Sequence, residues 1–500
     1  MSTFITRPGG RERVVLVALE GAFLASRAIY ALAGVRFDAT PIFNYWQIID
    51  PHLLRHDLFR SLWYLHGQPP LYNLLLGLVL HVAGPHPAGA FQAVYLLAGM
   101  VLVASLFLLL RGVGASRSIA VGAVLVVVVV NPAAVLYENW LYVEYFVVVL
   151  LVVACLLLLR FVQSGRTWLL VAFFTTAAVV VLSRSIFNLA WLLITTGALV
   201  VLRRGEWKRI VAAAAVPIAL CVGWYTKNLV QFGSFTGSTC LGLNLERVTT
   251  FWVSEAERQD LIRQGRLSRY AVLDPYSLPS TAPEAFRGRK PTGVPILDEP
   301  DKSTGAANFD SLPYLNLCRA LERDARTVLR LHPRLIATSA RAAILIYFRP
   351  ASDYTLFSDR NRSSVADVEH VFNLLALQPR AFTHATDAPA SNQRVYHPST
   401  GEVAWLLVAL YACAWAVAVA VLCRPHLRRR LGPATTAFVV FATVTMGYLT
   451  VVGNLLEVGE NNRFHIVLDP LAVAMVVVGA TALLRDGQRA VATEPEDVYA

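Results

Sequence analysis

The feature that most constrains the fold is a series of long apolar runs separated by short links that carry basic residues. The runs lie at about Val14–Val35, Ala90–Leu110, Ile119–Val130, Tyr145–Leu159, Leu169–Leu182, Ile186–Leu202, Ile210–Tyr225, Val403–Leu422, Ala434–Val452 and Ile466–Leu484. A helix of about 20 apolar residues can cross a bilayer. Only 15% of the residues are charged and 56% are hydrophobic, whereas soluble domains carry about 25% charged residues. The sequence therefore predicts an all-α polytopic membrane protein with about ten spans.

Arginine and lysine orient these spans. They concentrate in alternate links, at Arg111 and Arg117, Arg160 and Arg166, Arg203 to Arg209, Arg424 to Arg430, and Arg485 and Arg489. Cytoplasmic loops are enriched in basic residues, so both termini are predicted to be cytoplasmic. A further apolar segment, Leu71–Val82, is only about a dozen residues long and is predicted to lie along the interface or to re-enter. Counting it as a span would place most basic links outside.

Two polar regions interrupt the apolar pattern. We predict a transmembrane module at residues 1–231 with a first outer loop at 36–89, a small α-rich extracytoplasmic cap at 232–402, C-terminal spans at 403–485 and a cytoplasmic tail at 486–500. Within the cap, Asn316–Leu331 has the apolar spacing of an amphipathic helix. Arg334–Phe348 is predicted to be a helix that lies on the membrane or packs beneath the cap. The acidic end of the tail is predicted to be disordered.

The six cysteines do not form a metal or redox motif. No CxxC pair occurs, and four cysteines lie in apolar runs, so zinc binding and dithiol chemistry have no support. Only Cys240 and Cys318 fall in the cap. If the cap is extracytoplasmic, the sequence is compatible with two alternatives, a disulfide between them or two buried free thiols.

Ionisable residues collect where the spans reach the predicted outer face. They are Asp38, Glu138, Glu144, Arg184, Lys227, Glu457, Glu460 and Arg463. A charge at membrane depth costs about 2.5–3.5 kcal/mol on insertion scales, and such a residue usually faces a partner or a wet cavity. Arg184 lies in a very short hairpin between two apolar runs, so its side chain must face the inside of the bundle. There it either binds an anionic group or forms a structural ion pair with Glu138 or Glu457.

This combination of charges favours one kind of chemistry. The chain has no Gly-rich phosphate loop, GxSxG elbow or HExxH motif, so nucleotide chemistry and serine or zinc hydrolysis lack support. Guanidinium groups bind phosphate in bidentate fashion, and a carboxylate can take a proton from a hydroxyl. Together they fit group transfer from a lipid phosphate to an alcohol. No basic stripe predicts nucleic-acid binding, although the net charge is +11.

The order of the motifs resembles the GT-C class of integral-membrane glycosyltransferases. The likeness is carried by Asp38 after the first span, the Gln68-Pro69-Pro70-Leu71-Tyr72 element, Arg184 in its hairpin, and the segments Trp224 to Asn228 and Glu460 to Phe464. It is greatest to bacterial family-39-like members, which are related to protein O-mannosyltransferases and aminoarabinose transferases. It covers the first half of the chain well and the last span loosely.

The resemblance implies an inverting transferase on the outer face of a bacterial inner membrane. Its donor would be a polyprenyl-phosphate-linked sugar, and its acceptor would be a hydroxyl of a cell-envelope glycan or lipid. The protein would also contact the membrane lipids. Asp38 would be the general base, and Arg184, Lys227 and Arg463 would bind the donor phosphate. The expected substrate pocket comprises His66, Gln68, Glu138, Tyr142, Tyr225, Asn228, Glu457 and Glu460.

Three points remain open from the sequence. Protein O-mannosyltransferases carry an Asp-Glu pair in the first outer loop, whereas Ala39 follows Asp38 here, which argues against a protein acceptor. Glu138 could contribute to a divalent metal site, but catalysis without metal or other cofactor is expected because three cations are available. A flippase or transporter of lipid-linked sugars is the main alternative function, and a non-catalytic scaffold is a third.

Overall fold

The computed structural model describes residues 10–84, 87–273, 276, 290–354, 356–377 and 400–492. Within these ranges the chain is predominantly helical, and the only β pairings are two isolated bridges. The acidic end of the tail, predicted to be disordered, lies outside the described residues. The predicted cytoplasmic tail at 486–500 starts within the last helix, which continues to Ala492.

The helices fall into three consecutive groups. The first comprises α1 (Gly10–Leu32), α2 (Pro41–Asn44), α3 (Pro51–His56), α4 (Leu58–Tyr64), α5 (Pro70–Ala83), α6 (Pro87–Gly112), α7 (Arg117–Val124), α8 (Pro132–Glu138), α9 (Val143–Ser164), α10 (Thr167–Val181), α11 (Leu189–Leu202) and α12 (Trp207–Phe232). The cap contains α13 (Leu241–Val248), α14 (Glu255–Arg263), α15 (Pro295–Asp298), α16 (Leu312–Leu331), α17 (Leu335–Tyr347) and α18 (Asp359–Leu375). The last group is α19 (Trp405–Cys423), α20 (Pro425–Leu456) and α21 (Asn462–Ala492).

Each of the ten predicted runs is helical, and the protein is a polytopic membrane protein. Among the described residues, seven helices are long and apolar enough to cross a bilayer, namely α1, α6, α9, α12, α19, α20 and α21. Helices α7 and α8 are bent by 55° at a break and make an eighth span if they are taken together. Helices α10 and α11 are apolar but have only 15 and 14 residues. By this length criterion the two helices are not counted among the spans of the described residues.

Helices α1 and α6 are antiparallel, which places the first outer loop at one end of the bundle. Arg111 in the last turn of α6 lies 3.2 Å from Glu12 in the first turn of α1. Phe37, just beyond the other end of α1, contacts Tyr95 near the start of α6 with ring centroids 5.3 Å apart. The chain from α2 to α5 thus starts and finishes at the same end of the helix bundle. Helix α5 does not connect the two ends of the bundle, in agreement with the expectation for Leu71–Val82.

The break between α7 and α8 is stabilised by α1. A π-helical turn at Leu125–Val129 precedes the break, and α8 begins at Pro132, which has no N–H to donate to a preceding carbonyl. Arg27 donates to the carbonyls of Val129 (2.7 Å) and Val128 (3.1 Å) and forms a buried ion pair with Glu138 (2.7 Å). Unsatisfied carbonyls in hydrocarbon cost several kcal/mol each. Arg27 therefore stabilises the break between α7 and α8.

The cap contains the predicted amphipathic helix and lies over the last membrane helices. The helix predicted at Asn316–Leu331 is confirmed as α16. Helix α17 packs between the rest of the cap and the last membrane helices, because Ile346 forms an apolar cluster with Val248 of α13 and Val458, and Tyr347 contacts Tyr411 of α19. The expected packing is therefore observed, while contact of this helix with the membrane stays a prediction.

Candidate functional site

A cavity of about 290 Å³ lies where the α10–α11 hairpin, the α20–α21 link and the start of the cap meet. Its polar wall is formed by residues from four separate parts of the chain, Gln47, Gln68, Arg184, Glu457 and Arg463. Its apolar wall includes Ile186, Phe235, Leu241, Val452, Leu456 and Phe464. The cavity therefore combines two guanidinium groups with a surface suited to hydrocarbon.

Arg184 is buried at the inner side of this cavity. Helix α10 ends at Val181 and α11 begins at Leu189, so the connecting turn directs the side chain into the bundle, where it is 4% exposed. Its Nη2 lies 2.7 Å from Glu144 Oε1, and its Nη1 donates to Gln47 Oε1 at 2.5 Å. The predicted inward position is confirmed. The predicted ion-pair partners, Glu138 and Glu457, are wrong, because Glu144 at the start of α9 is closer in the folded bundle.

Arg463 approaches the same carboxylate from the last helix. Its Nη1 lies 3.8 Å from Glu144 Oε1 and 2.9 Å from Glu460 Oε2, and it donates to Tyr142 Oη at 2.9 Å. Tyr142 Oη is also hydrogen-bonded to Tyr45 Oη at 2.7 Å. Shared partners thus hold the two guanidinium groups in place, which is the preorganisation that recognition of a charged group requires.

The cap completes the charge balance of the cluster. Arg247 of α13 lies 3.0 Å from Glu457 and 3.9 Å from Glu460, the two carboxylates of the α20–α21 link. Three arginines therefore face three carboxylates in this cluster. Burial raises the pKa of Glu457 above its usual value, and the positive charge of Arg247 opposes that rise. An incoming anion must compete with these carboxylates for the guanidinium groups. A raised pKa makes Glu457 easier to protonate, and a neutral carboxyl competes less strongly than a carboxylate.

Asp38, the predicted general base, is not among the residues that line this cavity. Its backbone pairs with the start of the α8–α9 link, donating to Asn139 O at 2.8 Å and accepting from Leu141 N at 2.9 Å. Its carboxylate accepts from the N–H (2.9 Å) and hydroxyl (2.6 Å) of Thr40. The link that it pairs with leads directly to Tyr142 of the arginine cluster. The catalytic role of Asp38 stays a prediction.

The other predicted site residues differ in where they lie: some line the cavity, some contact Arg463 behind its wall, and others lie further away. Gln68, Tyr225 and Glu457 line the cavity with Arg184 and Arg463, whereas Tyr142 and Glu460 lie behind its wall, in contact with Arg463. Glu138 lies apart from these residues, because it is paired with Arg27 and lines a second cavity of about 240 Å³ between α1, α6 and α8.

Lys227, His66 and Asn228 support the cavity wall from behind. Lys227 Nζ donates to Leu65 O at 2.6 Å and lies 3.7 Å from the centroid of the Trp224 ring, and Lys227 is not among the residues that line the cavity. His66 Nδ1 is hydrogen-bonded to Thr239 Oγ1 at 2.7 Å. Asn228 Nδ2 donates to the carbonyl of Thr236 at 2.8 Å. Burial lowers the pKa of His66 to about 3, so the imidazole is neutral at physiological pH.

Two residues of the cap that sequence reasoning missed hold the first outer loop. Asp310 Oδ1 accepts from the N–H of Gly67 at 2.7 Å, next to Gln68. Lys302 Nζ donates to the carbonyl of Tyr45 at 2.7 Å, next to the loop that carries Gln47. Burial raises the pKa of Asp310 to about 6 and lowers the pKa of Lys302 to about 8. Neither residue belongs to a recognisable motif, so only the fold identifies them.

Within the described ranges, no group of three or more His, Cys, Asp or Glu side chains is arranged to hold a metal ion. Chemistry without a metal or another cofactor stays a prediction, since this geometry does not test the reaction.

No protein-family model and no curated protein matches the chain. Among solved structures, it is similar to the Archaeoglobus fulgidus oligosaccharyltransferase in the apo form, with 13% identity and a TM-score of 0.38 over 96% of this chain and 53% of that one. It is also similar to ArnT from Cupriavidus metallidurans bound to undecaprenyl phosphate, with 13% identity and a TM-score of 0.34 over 98% of this chain and 82% of that one. The chain spans about half the length of the oligosaccharyltransferase. Likeness at this level does not assign a function.

Proposed function

We propose that this protein is an integral-membrane glycosyltransferase that moves a sugar, with inversion, from a polyprenyl-phosphate donor to a hydroxyl of a glycan or lipid. The observation that carries the proposal is the convergence of Arg184 and Arg463 on one cavity that also has an apolar wall. Two guanidinium groups suit a phosphate, and an apolar wall suits the prenyl chain attached to it. The order of the sequence motifs supports the same reaction.

The two arginines would act mainly on the leaving group. As the bond between the anomeric carbon and the phosphate oxygen breaks, negative charge grows on the departing polyprenyl phosphate. Cations that are already oriented stabilise that charge without reorganisation. Arg184 and Arg463 meet this condition because Glu144, Gln47 and Tyr142 hold them before any ligand arrives.

The proton of the acceptor hydroxyl must pass to a carboxylate. Asp38 is assigned this role by its place after the first span, and Glu457 is the carboxylate that the cavity wall presents. A general base raises the reaction rate about 10²–10⁴-fold. Replacing the true base should therefore lower turnover by a measurable factor, which distinguishes the two assignments. We retain Asp38 as the proposed base and treat Glu457 as its competitor.

The cavity would face the outside of a bacterial inner membrane. Contacts at the opposite end of the bundle join basic links, as shown by Arg209, which donates to the carbonyl of Gly165 at 2.6 Å. Basic links are retained in the cytoplasm. The end that carries the cavity and the cap is then exposed to the compartment in which lipid-linked sugars serve envelope synthesis.

Binding and transfer by purified protein in lipid nanodiscs test the proposal. We expect undecaprenyl phosphate to bind saturably and Arg463→Ala to weaken this binding at least tenfold, with Arg209→Ala at the opposite end as the matched control. A panel of polyprenyl-phosphate sugars should then yield a glycosylated acceptor detectable by mass spectrometry. Equal binding by wild type and Arg463→Ala, or movement of the donor across vesicles without sugar transfer, would contradict the proposal.

A further inference from the structure

Two cysteines of the cap meet in a small apolar core. Cys240 immediately precedes α13 and Cys318 lies within α16, and both side chains are buried. Both cysteines belong to one cluster of buried side chains between α13 and α16. Leu243 and Leu317 belong to the same core cluster. The two thiols therefore share one apolar core, away from solvent.

Backbone packing holds the two thiols together. A Cβ added at Gly242 would lie 1.9 Å from the carbonyl oxygen of Cys318, so α13 and α16 touch at this point and only glycine fits. Cys240 is two residues from that contact. Their proximity is thus set by the packing of two helices and does not depend on a mobile segment.

We infer that Cys240 and Cys318 form a disulfide in the mature protein. The two thiols give up two protons and two electrons, an S–S bond forms, and a disulfide of an extracytoplasmic thiol–disulfide exchange protein is reduced to a dithiol. The inference rests on the outward placement of the cap in the proposed function, because disulfides persist in oxidising compartments.

The bond would form while the cap folds. The neighbouring Cys240 thiol, together with burial, raises the pKa of the Cys318 thiol well above its usual value. The thiolate is the species that attacks a disulfide, so the closed core resists both oxidation and alkylation. Exchange with an oxidant protein must precede the docking of α13 on α16.

The disulfide would brace the wall of the functional cavity. Cys240 lines that cavity, and its Sγ lies 3.5 Å from the position of a Cβ at Gly67, next to Gln68. A covalent bond to Cys318 ties this part of the wall to α16. The chain between the two cysteines becomes a closed loop, which restricts the unfolded state and stabilises the cap.

Thiol trapping on the full-length protein tests the inference. Cells are lysed in N-ethylmaleimide, the protein is denatured in its presence and digested, and the peptides are identified by mass spectrometry without reduction. We expect the Cys240 and Cys318 peptides to be linked in most molecules, and Cys155 and Cys221 of the membrane helices to be alkylated. In Cys318→Ala, Cys240 should become alkylated as well.

Alkylation of both Cys240 and Cys318 in most wild-type molecules would overturn the inference. The sugar-transfer assay on the same preparation separates the two proposals. Linked cysteines in a protein that binds no polyprenyl phosphate would retain the disulfide and refute the proposed function, whereas free thiols in an active transferase would refute the disulfide alone.

Discussion

Arg184 and Glu144 form an ion pair of 2.7 Å in which the side chains are only 5% and 2% exposed. Removing one partner of such a pair leaves a charge without compensation in a medium of low dielectric, which costs about 3–5 kcal/mol. The same guanidinium group lines the cavity. Its structural and binding roles must therefore be measured separately.

The first prediction separates these roles. Arg184→Ala should lose about 3–5 kcal/mol of stability and most of its affinity for polyprenyl phosphate. Arg184→Ala/Glu144→Ala should recover part of the stability, because no buried charge is left alone, but not the affinity. Arg184→Lys should restore binding only partly, since lysine lacks the bidentate fork. Thermal unfolding and ligand titration on the same samples measure both quantities. Wild-type affinity in the double variant would make Arg184 purely structural.

The second prediction concerns the general base. Asp38→Asn should fold normally, because an amide oxygen can still accept from Thr40, but its turnover should fall by about 10²-fold or more. Asp50→Asn is the matched control and should cost less, since Asp50 caps α3 and binds Ser303. Transfer at the wild-type rate by Asp38→Asn would move the assignment to Glu457, to be examined with Glu457→Gln.

The third prediction is that Arg27 acts on stability alone. Arg27→Ala leaves the buried Glu138 carboxylate without its cation, although Tyr145 still donates to Glu138 and Ser26 still donates to the Val129 carbonyl, so stability should fall by about 3–5 kcal/mol. The affinity of the folded fraction for polyprenyl phosphate should stay within about twofold. Arg111→Ala breaks a half-buried pair with Glu12 and should cost about 1 kcal/mol or less. A selective loss of ligand affinity in stable Arg27→Ala protein would contradict this assignment.

The fourth prediction is topological. Reporters fused after Gly165 or Gly205 should report a cytoplasmic location, because both positions lie among basic links. A reporter inserted at Gly305, an exposed turn of the cap with φ of +81°, should report the opposite side. A cytoplasmic signal from Gly305 would reverse the orientation and place the cavity inside the cell.

The fifth prediction uses the buried carboxyl of Asp310. Burial raises its pKa from 3.8 to about 6, so the folded protein holds this proton more tightly than the unfolded chain. The stability of the wild type relative to Asp310→Asn should therefore fall as pH rises from about 4 to 6, by up to about 3 kcal/mol. The difference isolates Asp310 from His66, whose lowered pKa acts in the opposite direction. A pH-independent difference in unfolding temperature would refute the burial effect.

Much of the architecture could be predicted because membrane insertion depends on local composition. Apolar runs of sufficient length must form helices in hydrocarbon, so all ten runs could be found without knowledge of their neighbours. The inward position of Arg184 could also be predicted, since its hairpin is too short to let the side chain reach solvent. Helix α16 could be predicted as well, because its amphipathic spacing is a local property of the sequence.

The partners of the buried charges could not be predicted in this way. Whether Arg184 pairs with Glu138, Glu144 or Glu457 depends on the rotation and tilt of helices about each other, which hydrophobicity does not encode. The same holds for Arg247, which reaches the cluster from the cap across more than 200 residues of chain.

By itself, the sequence determined that the chain is a helical membrane protein and that its ionisable residues gather at one end of the bundle, while the orientation expected from its basic links stays a prediction. These properties follow from the free energy of placing each short segment in lipid or water, which is a sum over local residues. Only the tertiary structure decided that Arg184 and Arg463 share Glu144, that Glu138 belongs to a broken span, and that Asp310 and Lys302 of the cap support the cavity. These contacts join distant segments, and their energies depend on packing geometry that no local pattern contains.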